Sequence, residues 1–354
     1  MAFVAQSKSN FDKTFLIISA VLVIGGFFIF SSASLGLLAK ESSNYSSIAF
    51  SQTILGLLLG SLGLLFSSRL DYRWWKKLSF YIFLVALALN VLVLFPSIGF
   101  EHGGARRWLS IAGFSFQPSE LLKFGFVLYF ATWLSGVKDK VKDWQWGFAP
   151  LVFLLLMVGG LLLSQPDTDT FLIIVITGLS MYLVAGGRWR EVFILGLVGL
   201  VLISFLAFTR PYVKQRITTF LDPTANSLGS GYQIQQSLIA IGSGGMFGRG
   251  FGQSVQKFTY LPEPVGDSIF AVAGEEFGFV GSVAIITLFL LFAMRGLKLA
   301  SKAPNSFGRL VITGLVIMIV SQAFVNIGAM LGVIPLSGIT LPFVSHGGTS
   351  LFIT

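Results

Sequence analysis

The sequence predicts an all-α, polytopic membrane protein, and three observations carry that prediction. Hydrophobic residues fill 54% of the 354 positions and charged residues only 11%, more apolar surface than one water-facing core can hide. The apolar residues gather in repeated runs of about 20, the length a helix needs to cross bilayer hydrocarbon. The connections between runs are mostly short and place basic residues and Trp at span ends, where Trp sits at the headgroup level. Cysteine is absent, which excludes disulfides, thiolate metal sites and a cysteine nucleophile. His102 and His346 are the only histidines, too few for a His-rich metal centre. The net charge of +9 is accounted for by membrane orientation, and nucleic acid is not an expected partner.

Apolar runs fall near 14–38, 48–66, 78–98, 121–137, 148–165, 170–187, 191–209, 268–294 and 310–334, with a tenth beginning at about Gly347. The first is too long for the core of a signal peptide and is read as a retained span. With a cytoplasmic N-terminus, fifteen of the 24 Lys and Arg residues fall on the inside segments, as the positive-inside bias requires. The whole chain, 1–354, reads as one transmembrane domain with a long outer loop, 210–268, between spans seven and eight. The inside loops SSRLDYRWWKK (67–77) and VKDKVKDW (137–144) serve orientation and anchoring.

The outer segments hold the charge that topology leaves unexplained. In 99–120, Arg106 and Arg107 run against the positive-inside trend. Arginine forks suit phosphate oxygens; the other reading pairs them with Glu101 or Glu120. Lys123 lies three residues after Glu120, on the same helix face and just inside an apolar span, so it is predicted to face a cavity or an acidic partner. In SQPDTDT (164–170), Asp167 and Asp169 bracket a turn. They read as a helix stop and cap, or as two weak candidate ligands for a divalent cation. The long loop is rich in Gly, Ser and Gln, and a loop of this length is usually functional. Its QQSLIAIGSGG stretch (235–245) predicts a short amphipathic helix lying on the membrane. The glycines of GSGGMFGRGFG (242–252) permit tight turns and close backbone approach. No GxxxxGK[ST] pattern is present, so nucleotide binding is not supported. Arg210, Lys214, Arg216, Arg249 and Lys257 make the loop basic, which suits an anionic headgroup or pyrophosphate.

The stretch LPEPVGDSIFAVAGEEFGF (261–279) concentrates Glu263, Asp267, Glu275 and Glu276. Carboxylates at a membrane edge are costly unless paired or hydrated. Asp267 precedes a helical run and reads either as its N-cap or as a general base. The last outer segment, PLSGITLPFVSHGG (335–348), is broken by Pro335 and Pro342, with Ser345 and His346 before a Gly-Gly hinge. Such a segment is tolerated only when buried in protein or lining an aqueous cavity. His346 reads as a hydrogen-bonded structural residue or as a catalyst.

The series GARRW (104–108), QPSELLKF (117–124), QPD (165–167), GYQIQQSLIAIGSGGMFGRGFG (231–252), 261–279 and PFVSHGGTS (342–350) resembles the SEDS proteins (shape, elongation, division and sporulation), the FtsW/RodA family. The resemblance covers nearly the whole chain in the family's order, and the GEE at 274–276 leans toward the FtsW branch. It implies a ten-transmembrane-helix bundle that polymerises lipid II into peptidoglycan strands outside the bacterial cytoplasmic membrane. It also implies a class B penicillin-binding transpeptidase and other division or elongation proteins as partners. The family's essential Asp falls on Asp267, the Arg of GARRW on Arg106 or Arg107, the Lys of span four on Lys123, and the Glu pair of span eight on Glu275 and Glu276. Two departures stand out. Thr168-Asp169 replaces the family's usual Phe-Gly, and the chain ends at Thr354, so span ten is expected to be truncated and the sequence to be a piece of a longer chain.

Polymerisation displaces a polyprenyl pyrophosphate from an anomeric carbon by attack of a sugar hydroxyl. The hydroxyl needs a base, and the leaving group needs cations as its charge develops. Asp267 is expected to be the base. Arg106, Arg107 and Lys123 are expected on the pyrophosphate side, with Glu120, Arg249 and Lys257 also contacting substrate or strand. Glu263, Ser345 and His346 are expected in support, and Glu275 and Glu276 as anchors for basic residues of neighbouring spans. No cofactor is assigned, and the chemistry admits a divalent cation, Mg or Mn. Two other classes use a polytopic bundle: a lipid II flippase and a non-enzymatic division scaffold. A flippase should show internal repeats, broken helices near mid-bilayer and gates on both faces, whereas no repeat is evident here and the unusual charge lies outside. Both alternatives predict that Asp267 tolerates a residue of equal shape.

Overall fold

Helix starts in this chain follow capping chemistry. Asp71, Asp167 and Asn305 each accept a backbone N–H of the first turn they precede, from Arg73, Thr170 and Gly308 respectively, satisfying donors that helices leave orphaned. Pro118 occupies the first turn of another helix, where its missing N–H costs nothing. The computed structural model describes residues 12–40, 50–102, 105–111, 114–209, 211–224 and 229–346. The spans are α1 (Lys13–Lys40), a π-wound segment Ser51–Leu59 running into α2 (Gly60–Arg69), α3 (Tyr72–Val93), α4 (Pro118–Gly136), α5 (Phe148–Ser164), α6 (Thr168–Val184) and α7 (Trp189–Thr209). The long loop contributes α8 (Pro211–Leu221), α9 (Ser230–Ser243) and the single turn α10 (Gln256–Thr259). Then come α11 (Ile269–Ser301) and α12 (Ser306–Met330). These elements fall on the nine predicted apolar runs. Six are long and apolar enough to cross a membrane, and α5 and α6 are shorter apolar helices. The predicted tenth span, from Gly347, lies outside the described residues.

At the centre, α11 packs against α12, α9 and α1, while α12 also meets α4 and α6, and α3 lies along α4. Fully buried Phe126, Phe130, Phe270 and Phe289 fill this interior. α7 is apolar all round and packs chiefly on α8. Its Phe193, Leu197, Phe205 and Phe208 are exposed on the protein, as side chains are when lipid is the solvent.

One local expectation needs correction, and one element was not expected. The segment 99–116 forms a three-stranded antiparallel sheet of β1 (Gly99–His102), β2 (Ala105–Ile111) and β3 (Phe114–Phe116), in the order β1-β2-β3. Its register sets Arg106 opposite Glu101 and Trp108 opposite Phe100. The amphipathic helix of the long loop exists as α9, but its buried face turns inward. Ile234, Ser237 and Ala240 are buried at a spacing of three residues, one helix face, and the helix packs on α11 and α12.

The glycine-rich stretch has a structural task. α11 is broken at Gly278, whose φ is 67°, a left-handed backbone that favours glycine. The break frees backbone groups that the loop satisfies. Arg249 N and Gly250 N donate to the carbonyls of Glu275 and Glu276 at 3.0 Å each, while Phe279 N and Val280 N donate to the carbonyls of Gly245 and Met246 at 2.8 and 3.1 Å. A kinked span is tolerated because neighbouring protein re-satisfies it. A Cβ on Gly278 would collide with backbone of Met246 and Gly248. Gly278→Ala is therefore expected to destabilise by at least the 1–3 kcal/mol, roughly, of a strained φ, read as a lower melting temperature in detergent. Gly281→Ala is not a suitable control, since its Cβ would meet Phe277. Gly160→Ala, in open space, should leave the melting temperature unchanged.

Candidate active site

Asp267 sits at the head of α11 but does not cap it. The N-cap position belongs to Ser268, and no side chain caps this helix. The half-buried carboxylate instead accepts from Gln233 Nε2 of α9 at 3.1 Å and from Ser268 Oγ at 3.4 Å. Desolvation pushes its pKa up to about 7; Gln233 opposes the rise and the Glu263 carboxylate adds to it. Of the two sequence readings, the capping one is removed. A carboxylate that is half ionised near neutrality is suited to take a proton.

The backbone beneath Asp267 is held by one face of α12. Asn326 Nδ2 donates to the carbonyls of Asp267 and Ile339, both at 2.7 Å. One turn away, Gln322 accepts from Lys123 Nζ at 2.6 Å and donates to the Thr340 carbonyl at 3.1 Å. Lys123 also pairs with Glu120 at 2.9 Å, with both side chains buried. Lys123 thus has the predicted acidic partner, but neither it nor Glu120 presents a surface for substrate. The segment 335–346 lies across the site. Ser345 Oγ accepts from Leu341 N and donates to the Gly266 carbonyl, and His346 N donates to the Val265 carbonyl at 2.6 Å. Burial lowers the His346 pKa to about 4, so this ring is neutral at physiological pH, and it stacks beside Phe30. The bond-free Nε2, among the described residues, is buried.

The remaining predicted site residues divide. Arg107 donates to the carbonyls of Gln165 and Pro166, and strand alternation sends Arg106 to the opposite face. The two arginines therefore do not form one phosphate clamp. Asp167 is the cap of α6, with its pKa raised by burial and opposed by Arg107. Asp169 pairs with Arg216 at 2.7 Å and accepts from Gly338 N. Asp167 thus serves as a cap and Asp169 as an ion-pair partner, while Asp167 Oδ2 is buried without a hydrogen bond among the described residues. Lys257 requires a larger correction. It is fully buried and bonds Glu276 at 2.6 Å, Ser32 Oγ at 2.9 Å and the Gly252 carbonyl at 2.9 Å, so it braces the fold and cannot grip substrate. Glu275 accepts from Ser254 Oγ and from the N–H groups of Val255 and Gln256, with Arg249 at 3.5 Å. The glutamate pair does anchor basic residues, but those of the long loop and not of neighbouring spans. Arg249 remains partly exposed, and Glu263 stands exposed beside Asp267 with a positive φ of 43°.

Gln233, Ser32, Gln322 and Asn326 were missed. A usable signal existed for the last two: Gln and Asn four residues apart in an apolar span lie on one face, and polar groups there are costly unless bonded. Asn326→Leu strips the donor from two carbonyls. It is expected to cost roughly 1–3 kcal/mol per unsatisfied group and to lower activity. Thermal melts and turnover assays on the same preparation check both effects.

Comparison with known proteins identifies the family. Residues 12–354 match the family model of FtsW, RodA and SpoVE, described as cell cycle proteins. The chain is 38% identical over 344 residues to stage V sporulation protein E of Bacillus subtilis (strain 168), covering 97% of this chain and 94% of that protein. It is likewise 38% identical over 345 residues to the probable peptidoglycan glycosyltransferase FtsW of Geobacter sp. (strain M18), covering 98% and 94%. Among solved structures, it matches a chain of a peptidoglycan synthase complex described as coordinating polymerization and crosslinking, with TM-score 0.77, 30% identity and coverage of 96% and 93%. It also matches the Thermus thermophilus rod shape determining protein RodA, with TM-score 0.70, 30% identity and coverage of 98% and 93%.

Proposed function

The chain belongs to the FtsW/RodA/SpoVE family of cell cycle proteins, and from that premise we propose that it polymerises lipid II on the outer face of the cytoplasmic membrane with Asp267 as the general base. It is a multi-pass membrane protein and a peptidoglycan glycosyltransferase. The observation that carries the role of Asp267 is its placement. It is a half-buried carboxylate, released from capping and positioned by Gln233 and Ser268, with a pKa of about 7.

In this reading the acceptor sugar's hydroxyl gives its proton to Asp267 as its oxygen attacks the anomeric carbon of the donor, and the polyprenyl pyrophosphate leaves. Asn326 fixes the Asp267 backbone from α12, and Ser345 and His346 fix the preceding Val265–Gly266. These residues position the base; they do not touch the sugar. Arg106, on the outer sheet, and the partly exposed Arg249 are the arginines assigned to pyrophosphate charge. Arg249 lies beside Glu275, eight residues along α11 from Asp267, about 12 Å at helical rise. A class B penicillin-binding transpeptidase is the proposed partner, a reading supported by the likeness to a chain of a peptidoglycan synthase complex.

The test is polymerisation of purified lipid II by the purified protein with its transpeptidase, followed across pH. The base works only as carboxylate, so the rate should climb as pH rises through about 7 and level off above it. A rate flat from acid pH through 7 would remove Asp267 from this role. Lipid II movement across liposomes without polymer, under conditions where folding is verified, would favour a flippase instead.

A further inference from the structure

The end of the bundle remote from Asp267 carries a cavity that the glycosyl-transfer site does not use. It has a volume of about 400 Å³ and is walled by Tyr72, Trp75, Phe124, Leu128, Phe307 and Leu315, among others. These come from α3, α4 and α12. Phe307 and Leu315 are eight residues apart on α12, so the cavity runs about 12 Å along that helix. Its walls are almost wholly apolar, while its mouth is polar. Asn305 Nδ2 donates to the Tyr72 hydroxyl at 2.5 Å across the rim, and the Lys76 ammonium stands 5.8 Å from the centre of the Phe307 ring. Among the described residues Lys76 is not paired with a carboxylate. Of the acids on adjoining segments, Asp12 pairs with Arg295 at 2.7 Å and Asp71 caps α3 by accepting from Arg73 N.

We propose that this cavity binds an anionic phospholipid of the inner leaflet, with one acyl chain between α3, α4 and α12 and the phosphate at Lys76. The apolar depth excludes a free anion such as a nucleotide or inorganic phosphate, because nothing inside would replace its hydration. The Lys76 ammonium at the mouth selects against a neutral amphiphile. A Lys near a membrane surface attracts anionic lipid, and the Lys76 stem follows the apolar wall while its charge reaches the headgroup level. Positive charge at this end is accounted for by orientation alone in the sequence; the cavity adds a specific use for one of those residues.

Trp75 in the wall supplies the readout. Purified protein in micelles is titrated with phosphatidylglycerol or phosphatidylcholine carrying brominated acyl chains, and the Trp75 signal is taken as the difference from Trp75→Phe. Quenching at Trp75 is expected with a preference for phosphatidylglycerol of about five-fold. That preference should fade as salt is raised and vanish in Lys76→Gln. Leu315→Phe, which narrows the cavity, should weaken quenching by both lipids. Equal affinities for the two lipids would reduce the feature to ordinary annular contact and overturn the proposal. So would absence of Trp75 quenching with either lipid, the result expected if a helix of a partner or second copy fills the cavity. The salt titration uses the unmodified chain, so the proposal stays falsifiable if a variant does not fold.

Discussion

Asp267→Asn should abolish most lipid II polymerisation, by about 10²–10⁴-fold, the range that general-base catalysis supplies, without harming the fold. Asn keeps the shape and can still accept from Gln233 Nε2 and Ser268 Oγ, the two side-chain contacts that hold Asp267. It cannot take a proton from a sugar hydroxyl. No cap is lost, because Asp267 does not cap α11. Stability should move in the opposite direction to activity. The folded pKa, about 7, lies above the ordinary value of 3.8. Above pH 3.8 the unfolded chain ionises this group more readily than the folded one, so the native state loses stability as pH rises from about 4 toward 7. Asparagine removes that penalty, and the variant should melt at or above the wild-type temperature at pH 8. Full activity in a folded Asp267→Asn protein would reduce Asp267 to a structural residue and move the search for the base to the exposed Glu263. A variant that melts well below wild type would show that the carboxylate is structural in a way its hydrogen bonds do not reveal.

The largest expected stability effect lies elsewhere, at Lys257. This ammonium is buried with Glu276, and the Ser32 hydroxyl from α1 closes the cluster by donating to Glu276 while accepting from Lys257. Removing one member of a buried pair leaves the other charge uncompensated, at a cost of about 3–5 kcal/mol. Lys257→Met should therefore lower the melting temperature sharply and detach the long loop from α1 and α11. Activity would fall as a consequence of unfolding. Lys257→Met combined with Glu276→Leu should recover most of the stability, because a packed apolar pair carries no desolvation penalty. If Lys257 instead gripped substrate, Lys257→Met would weaken lipid II binding with little change in melting, and the double variant would not recover.

Much of this fold was legible from sequence because hydropathy is a local and additive property. A run such as 310–334 marks a span wherever its neighbours lie, and its helix α12 (Ser306–Met330) covers most of that run. The importance of 261–279 was legible for a related reason. Four carboxylates in a stretch bounded by apolar residues demand partners, as the hydrogen bonds of Asp267, Glu275 and Glu276 show. The three-stranded sheet at 99–116 was not legible, since GFEHGGARRW offers only short alternation between turn residues. The inward turn of α9 was missed for another reason: its polar Ser237 sits on the buried face, against Met330, so pattern alone misassigns which side meets water.

The sequence by itself determined the helical membrane class, the positions of the apolar runs and the stretch where carboxylates are concentrated. Each follows from composition within a window of some 20 residues. Only the tertiary structure decided which cation serves which acid. Lys257 moved from the substrate to Glu276, Lys123 was closed off by Glu120 and Gln322, and the two adjacent arginines were separated by strand alternation. The physical reason is that an ion pair depends on a few ångströms between groups that the chain holds far apart. Ser32 and Glu276 meet across 244 positions, a proximity that no local pattern encodes and that only the packing of α1 against α11 creates.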